Sequence, residues 1–133
     1  MSAHFKKDGG RWPVHCVRDT WGAALHPALM VAGPVVRKGT GGEDGYSGFS
    51  VRDPVSAKTQ STDLERTLRE RKIARVVVVG LATDWCVKET ALDARRLGFE
   101  TTVIAAATRP VNLDAGDGER AIEALRAAGV EIA

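Results

Sequence analysis

Nucleophilic and metal chemistry in this sequence is confined to a few side chains: two cysteines, Cys16 and Cys86, and three histidines, His4, His15 and His26. Cys86 holds the most informative position, after V-V-V-V-G-L-A-T-D-W at residues 76–85 and before V-K-E-T-A-L-D. The four valines predict a strand buried on both faces, the kind found inside a parallel sheet. Gly80 ends that run, and Ala82, Thr83 and Asp84 offer a tight turn with a capping side chain. A helix follows to about residue 97, with Val87, Ala91 and Ala94 on one face and Gly98 just past its end. Cys86 then lies in the first turn of a helix leaving the carboxyl end of a strand, where open α/β sheets bind ligands. The helix dipole and backbone N–H groups at such a terminus favour a thiolate and can hold an oxyanion. A small buried apolar residue is the other reading of a cysteine. Position makes Cys86 a candidate nucleophile.

Elements on either side must bring partners to that thiol. Residues 1–11 are short, polar and Gly-containing and read as a loop, and residues 12–17 bring Trp12, Pro13, His15 and Cys16 together. By residue type, His15 is as well explained as a hydrogen-bonded surface histidine, and Cys16 as packing. Residues 19–29 continue as a Gly- and Pro-containing connection in which His26 is a surface or structural residue. Residues 35–38 predict a short strand ending in Lys38 and Gly39. The Gly-rich run 40–49 lacks the spacing of a phosphate loop. Thr62-x-x-Glu65 is a capping box for a helix with Leu64 and Leu68 inward. A strand at 101–106, a loop at 107–116, a helix capped by Asp117 and closing at Gly129, and a short strand at 130–132 complete the chain. Alternating strand and helix predict an α/β domain with helices on both faces of a parallel sheet. Asp8, Asp19 and Asp44 fall in loops and read as solvated or capping carboxylates.

Bulk composition excludes several classes. The 133 residues suit one domain with a sizeable core, and 44% apolar with 27% charged residues is an ordinary globular balance. A net charge of +2 with interspersed signs gives no polybasic tract for nucleic acid. No apolar run approaches the roughly 18 residues of a membrane span, and no signal-peptide pattern opens the sequence. Two cysteines are too few for a disulfide framework, which points to reduced thiols and a cytoplasmic protein.

Three segments, W-P-V-H-C-V-R-D-T-W-G-A-A-L-H-P, K-G-T-G-G-E-D-G-Y-S-G-F and G-L-A-T-D-W-C-V-K-E-T-A-L-D-A, carry a specific resemblance. In this order they resemble the nicotinamidase and pyrazinamidase branch of the isochorismatase-like cysteine hydrolases. The resemblance implies a three-layer Rossmann-like fold and hydrolysis of nicotinamide to nicotinate and ammonia through a thioester on Cys86. It implies Lys38 as the catalytic cation and backbone N–H groups of Ala82 and Cys86 as the oxyanion hole, beside a cis peptide at Leu81–Ala82. His15, with His4, would supply part of a divalent metal site for zinc, iron or manganese. Trp12 and Tyr46 would flank the pyridine ring, with Trp85 at the mouth. The family's general-acid Asp and its Asp-x-His metal pair have no counterpart here. The resemblance therefore implies a single domain, 1–133, without the family's first two strands and first helix, on the order of fifty residues. Low activity of the chain alone, exposed strand edges, and completion by a complementing N-terminal segment or a homo-oligomer are the matching expectations. A hydrolase of another small amide, or a non-catalytic binding protein of this fold, are the alternatives.

Overall fold

The computed structural model describes residues 4–133. From residue 4 to 49 the described chain has no long element, but short 3-10 turns at Lys6–Asp8 and Trp21–Ala23 and single bridges of Phe5 with Trp12 and of Asp44 with Arg52, in extended coil. Strands β1 (Ser50–Arg52) and β2 (Thr59–Ser61) pair antiparallel as a small hairpin. Then come α1 (Leu64–Glu70), β3 (Arg75–Leu81), a π-helical turn at Thr83–Val87, α2 (Lys88–Arg96), β4 (Glu100–Arg109), α3 (Asp117–Ala127) and β5 (Glu131–Ile132). The last three strands form one parallel sheet in the order β3-β4-β5.

Two apolar clusters hold the helices to one face of this sheet. In the first, Val87, Ala91, Val103, Leu125 and Val130 are buried, with Val78, Leu92, Ile122 and Ile132 packed against them. Small alanines on α2 let that helix approach the strands closely, and Leu125 fills the space between α3 and β4. In the second, Phe49, Ala94 and Phe99 are buried beneath Leu64, Leu68, Val76 and Leu97, joining α1 and α2 to the start of the sheet. Phe49 and Phe99 stack with centroids 5.9 Å apart, and the Arg69 guanidinium lies 4.2 Å over the Phe99 ring. That cation–π contact closes the cluster while leaving the charge in water.

The α/β class and the parallel sheet agree with the sequence, and several local expectations need correction. The valine run is not buried on both faces: Val76 and Val78 face the helices, while Val77 and Val79 are exposed. The reason is that β3 ends the sheet and the described helices all cover its other face. Residues 35–38 form no strand, because the extended segment finds no pairing partner among the described residues. The capping box is half made. Thr62 Oγ1 accepts the Leu64 N–H at 3.2 Å, but its own proton goes to Gly48 O, and Glu65 pairs with Arg69 instead. Asp84 does not cap its turn, and Asp117 is the first helical residue of α3, its carboxylate accepting the Asp114 N–H at 2.9 Å. β4 also runs beyond 106 to Arg109, absorbing a shift in register between Val78 and Gly80 of β3.

Leu125 tests this core. It is fully buried, so Leu125→Ala should cost about 2–5 kcal/mol by chemical denaturation. Val55→Ala, at a position 86% exposed, should stay within about 0.5 kcal/mol. Equal losses from the two would mean that the core is not where these contacts put it.

Candidate active site

The corner after β3 is unusually well anchored. The chain passes a cis peptide at Leu81–Ala82, as the resemblance implied, and enters the π-helical turn, where the Val87 N–H reaches back to Ala82 O at 3.1 Å. Such i→i+5 turns are rare and cluster at functional sites. Three contacts fix the turn. Val87 inserts into the core, buried Thr83 hydrogen-bonds Thr108 at the end of β4 at 2.9 Å, and buried Asp84 accepts the backbone N–H groups of Val111 and Asn112 at 2.9 and 2.8 Å. Asp84 thus ties the loop after β4 to the turn that carries Cys86.

Lys38 reaches this corner from the Gly-rich loop. Its Nζ lies 3.2 Å from Cys86 Sγ and also donates to the carbonyls of Gly45 and Tyr46. The loop folds tightly around the lysine stem: a Cβ on Gly45 would sit 3.1 Å from Lys38 Cβ and Cγ, and Gly39 has φ +68°. A side chain at position 45 would push the lysine away from the thiol. With its three protons directed at two carbonyls and the sulfur, the ammonium is held where it stabilises negative charge on that sulfur.

Around the pair is a cavity of about 570 Å³ lined by aromatic and imidazole rings, among them Phe5, Trp12, Tyr46 and Trp85, by backbone groups and by the Glu43 carboxylate. Trp12 Nε1 donates to the Tyr46 hydroxyl at 2.9 Å, Trp12 meets Trp85 edge-on at 4.8 Å, and Tyr46 lies 5.1 Å from Trp85. Arg11 sits 5.5 Å from the Trp85 ring centre. Burial pushes the Tyr46 phenol above its ordinary value, opposed by the Trp12 hydrogen bond and Arg11 and aided by Asp44 and Cys86. The hydroxyl therefore stays protonated at neutral pH. Every sequence-predicted site residue, Cys86, Lys38, Ala82, His15, His4, Trp12, Tyr46 and Trp85, lines this one cavity.

The imidazoles of His4 and His15 lie 5.6 Å apart, centre to centre. His15 Nδ1 is 2.7 Å from the Pro13 carbonyl, which can only accept, and His4 Nδ1 is 2.9 Å from the Asp44 carboxylate. The carbonyl contact puts a proton on His15 Nδ1, and in the neutral imidazole that tautomer has its lone pair on Nε2. Asp44 is therefore not a merely solvated or capping carboxylate. Its partner lies 40 residues away, so no local pattern could reveal the pairing. Among the described residues, no group of three or more His, Cys, Asp or Glu is arranged to hold a metal ion. Two imidazoles do not make a ligand set, and these residues alone do not fit a resident metal. Cys16 is exposed rather than packed, lines the same cavity and adopts φ 47°. Asp84, which the sequence suggested only as a turn cap, and Arg11, which carried no sequence signal, also belong to the site's surroundings, each through contacts distant in the chain.

Tyr46 is the only tyrosine, so absorbance near 295 nm reports it alone. Its midpoint in the native chain should lie above the value in denaturant, which should fall near 10.0. The raised value favours the protonated phenol in the folded state. The associated stability is present below the unfolded value and is lost as pH rises through the folded one. A native midpoint at or below the denatured one would contradict this environment. For the thiols, iodoacetamide near neutral pH should label Cys86 before the more exposed Cys16, and Lys38→Met should abolish that order. Peptide mapping after partial alkylation reads both, and equal labelling of the unmodified chain counts against an activated Cys86.

Comparison with known proteins agrees with this geometry. Residues 1–133 match the isochorismatase domain. The chain is 40% identical over 124 residues to the nicotinamidase of Escherichia coli K12, covering 91% of this chain and 56% of that one. It is 42% identical over 125 residues to the nicotinamidase/pyrazinamidase of Mycobacterium tuberculosis, covering 91% and 62%. The Pyrococcus horikoshii pyrazinamidase, solved in complex with zinc, superposes with TM-score 0.84 at 34% identity over 99% of this chain and 68% of its own. The L. infantum protein solved in complex with nicotinate superposes with TM-score 0.89 at 36% identity, covering 99% and 65%. The chain thus spans little more than half the length of these curated relatives, and over that span its motifs, its parallel sheet and its cysteine corner make it a member of the isochorismatase family.

Proposed function

We propose that this chain carries the nucleophile half of a nicotinamidase-like amidohydrolase, converting nicotinamide to nicotinate and ammonia. The observation that supports this best is the Lys38 ammonium 3.2 Å from Cys86 Sγ, in a cavity walled by Trp12, Tyr46 and Trp85. The nicotinamidases of E. coli and M. tuberculosis, and the neighbour solved with nicotinate, favour a pyridine carboxamide over other small amides.

In this reading the Cys86 thiolate attacks the carboxamide carbon, and the carbonyl π pair moves to oxygen. Backbone N–H groups of Ala82 and Cys86 hold the resulting oxyanion. Collapse of the intermediate breaks the C–N bond, a proton is added to the leaving nitrogen, and ammonia departs. Water then adds to the thioester, gives up a proton and releases nicotinate with the thiolate restored. Trp12 and Tyr46 flank the pyridine ring, and Trp85 with Arg11 stands at the mouth. Both proton transfers need an acid–base group beside the sulfur. Among the described residues no carboxylate hydrogen-bonds Cys86 or Lys38, and the Glu43 carboxylate that lines the cavity accepts from the Gly41 N–H instead, so none of them is assigned this role. If a divalent metal, zinc, iron or manganese, is bound, His4 and His15 would supply two imidazoles to it, which by themselves are not a ligand set. No step is assigned to that ion. No described helix is long and apolar enough to cross a membrane, and two unpaired thiols suit the cytoplasm.

Acid–base assistance is typically worth ~10²–10⁴ in rate, so the chain alone should release ammonia from nicotinamide only slowly. Adding a family-type segment that carries the carboxylate should raise that rate, and Cys86→Ala should abolish the gain. Turnover that is indifferent to Cys86→Ala would remove the nucleophile assignment. Nicotinamide binding without any Cys86-dependent ammonia release, even with the added segment, would favour the non-catalytic binding reading.

A further inference from the structure

We propose that Val111 is a specificity-determining wall of the Cys86 cavity and that Asp84 is the positioning residue that holds it there. That the wall bears on a pyridine carboxamide rests on the amidase reading, while its place in the cavity does not.

Val111 stands apart from the rest of the lining. Every other described lining residue lies at or before Cys86 in the chain, in the N-terminal coil, the Gly-rich loop or the corner after β3. Val111 comes instead from the loop between β4 and α3. A valine side chain offers no proton and no hydrogen bond, so its contribution is shape: it sets how much apolar space is open beside the thiol. It is 45% exposed, so core packing does not fix it. Connecting loops are mobile unless specific contacts tie their backbone down. The position of the wall must therefore come from the backbone on either side of it.

Asp84 supplies that tie. Its Oδ1 accepts the Val111 N–H at 2.9 Å and its Oδ2 accepts the Asn112 N–H at 2.8 Å, two consecutive donors that flank the Val111 Cα. Burying a carboxylate is costly unless its oxygens are paired, and at this buried position both are, by charge-assisted hydrogen bonds. Asn112 then takes φ 52°, a left-handed conformation that asparagine tolerates, and its Oδ1 accepts the Gly118 N–H in the first turn of α3 at 2.8 Å. On the other side of Val111, a Cβ on Gly118 would lie 2.7 Å from the Pro110 ring, so Pro110 is packed directly on α3. Thr83, next to Asp84, holds Thr108 at 2.9 Å. Both ties from residues 83 and 84 leave the same turn that carries Cys86, so wall and thiol share one support. An asparagine at position 84 would offer one acceptor oxygen and turn an amide donor towards a backbone N–H, releasing one of the two bonds that flank Val111.

The test alkylates the 133-residue chain with iodoacetamide and with the bulkier N-phenyliodoacetamide, and reads the ratio of the two rates at the Cys86 peptide. Val111→Ala should raise the ratio in favour of the bulky reagent about tenfold, the scale of a missing methylene in an apolar pocket, and leave the iodoacetamide rate within about twofold. Asp84→Asn should move the ratio in the same direction, and combining the two substitutions should add little, because both act on one wall. Leu68→Ala, in the second apolar cluster, should lower stability and leave the ratio where it was, which separates positioning from general destabilisation. Circular dichroism establishes that each variant folds. Should Asp84→Asn not fold, Asn112→Gly keeps the left-handed backbone, removes the tie to Gly118 and is expected to shift the ratio in its place. An unchanged ratio in Val111→Ala, or an equal shift in Leu68→Ala, would overturn the wall. A shift in Val111→Ala with none in folded Asp84→Asn would overturn the positioning role. Nicotinamide should slow alkylation of Cys86 in the unmodified chain and slow it less in Val111→Ala. Protection by nicotinamide in none of the variants, with the ratio shifting as expected, would count against the amidase reading and leave the wall standing.

Discussion

The contact between Lys38 Nζ and Cys86 Sγ joins the two halves of the molecule, 48 residues apart in the chain. One half is an irregular Gly-rich loop, tied to β1 by the paired backbone hydrogen bonds of Asp44 and Arg52. The other is the β3–π-turn–α2 corner. A lysine side chain carries much rotamer freedom, and holding it against one sulfur costs entropy that the surroundings must offset. Here the carbonyls of Gly45 and Tyr46 offset it by accepting the ammonium's other protons. The same loop then delivers Tyr46, whose hydroxyl accepts from Trp12, whose ring meets Trp85 next to the thiol. Cation, aromatic wall and thiol are thereby set by one closed circuit of contacts.

How much of this the sequence disclosed depends on the range of the determining interactions. The cysteine corner was legible because strand, turn and helix adjoin in the chain, and the pattern Val87, Ala91, Ala94 matches the helical period of a buried stripe. The parallel sheet was legible in the alternation of elements. Local rules failed where tertiary partners outbid them. Asp84 looks like a cap and instead binds two N–H groups 27 and 28 residues away. Thr62 heads a capping box but donates to Gly48, 14 residues back. Residues 35–38 have strand-like composition, yet a strand needs a neighbour. The valine run misleads for a related reason: an apolar run reports that both faces favour burial, not that both are buried in the chain at hand.

The positions of the packing clusters explain how a half-covered sheet can still hold a precise site. Every anchor of the thiol lies on the covered side or at the strand end: Val87 in the core, Thr83 on Thr108, Asp84 on the 111–112 loop. Cys86 placement therefore does not depend on what covers Val77 and Val79. The thiol is thus positioned from the covered face of the sheet and from the strand end, and this is enough to hold it against Lys38.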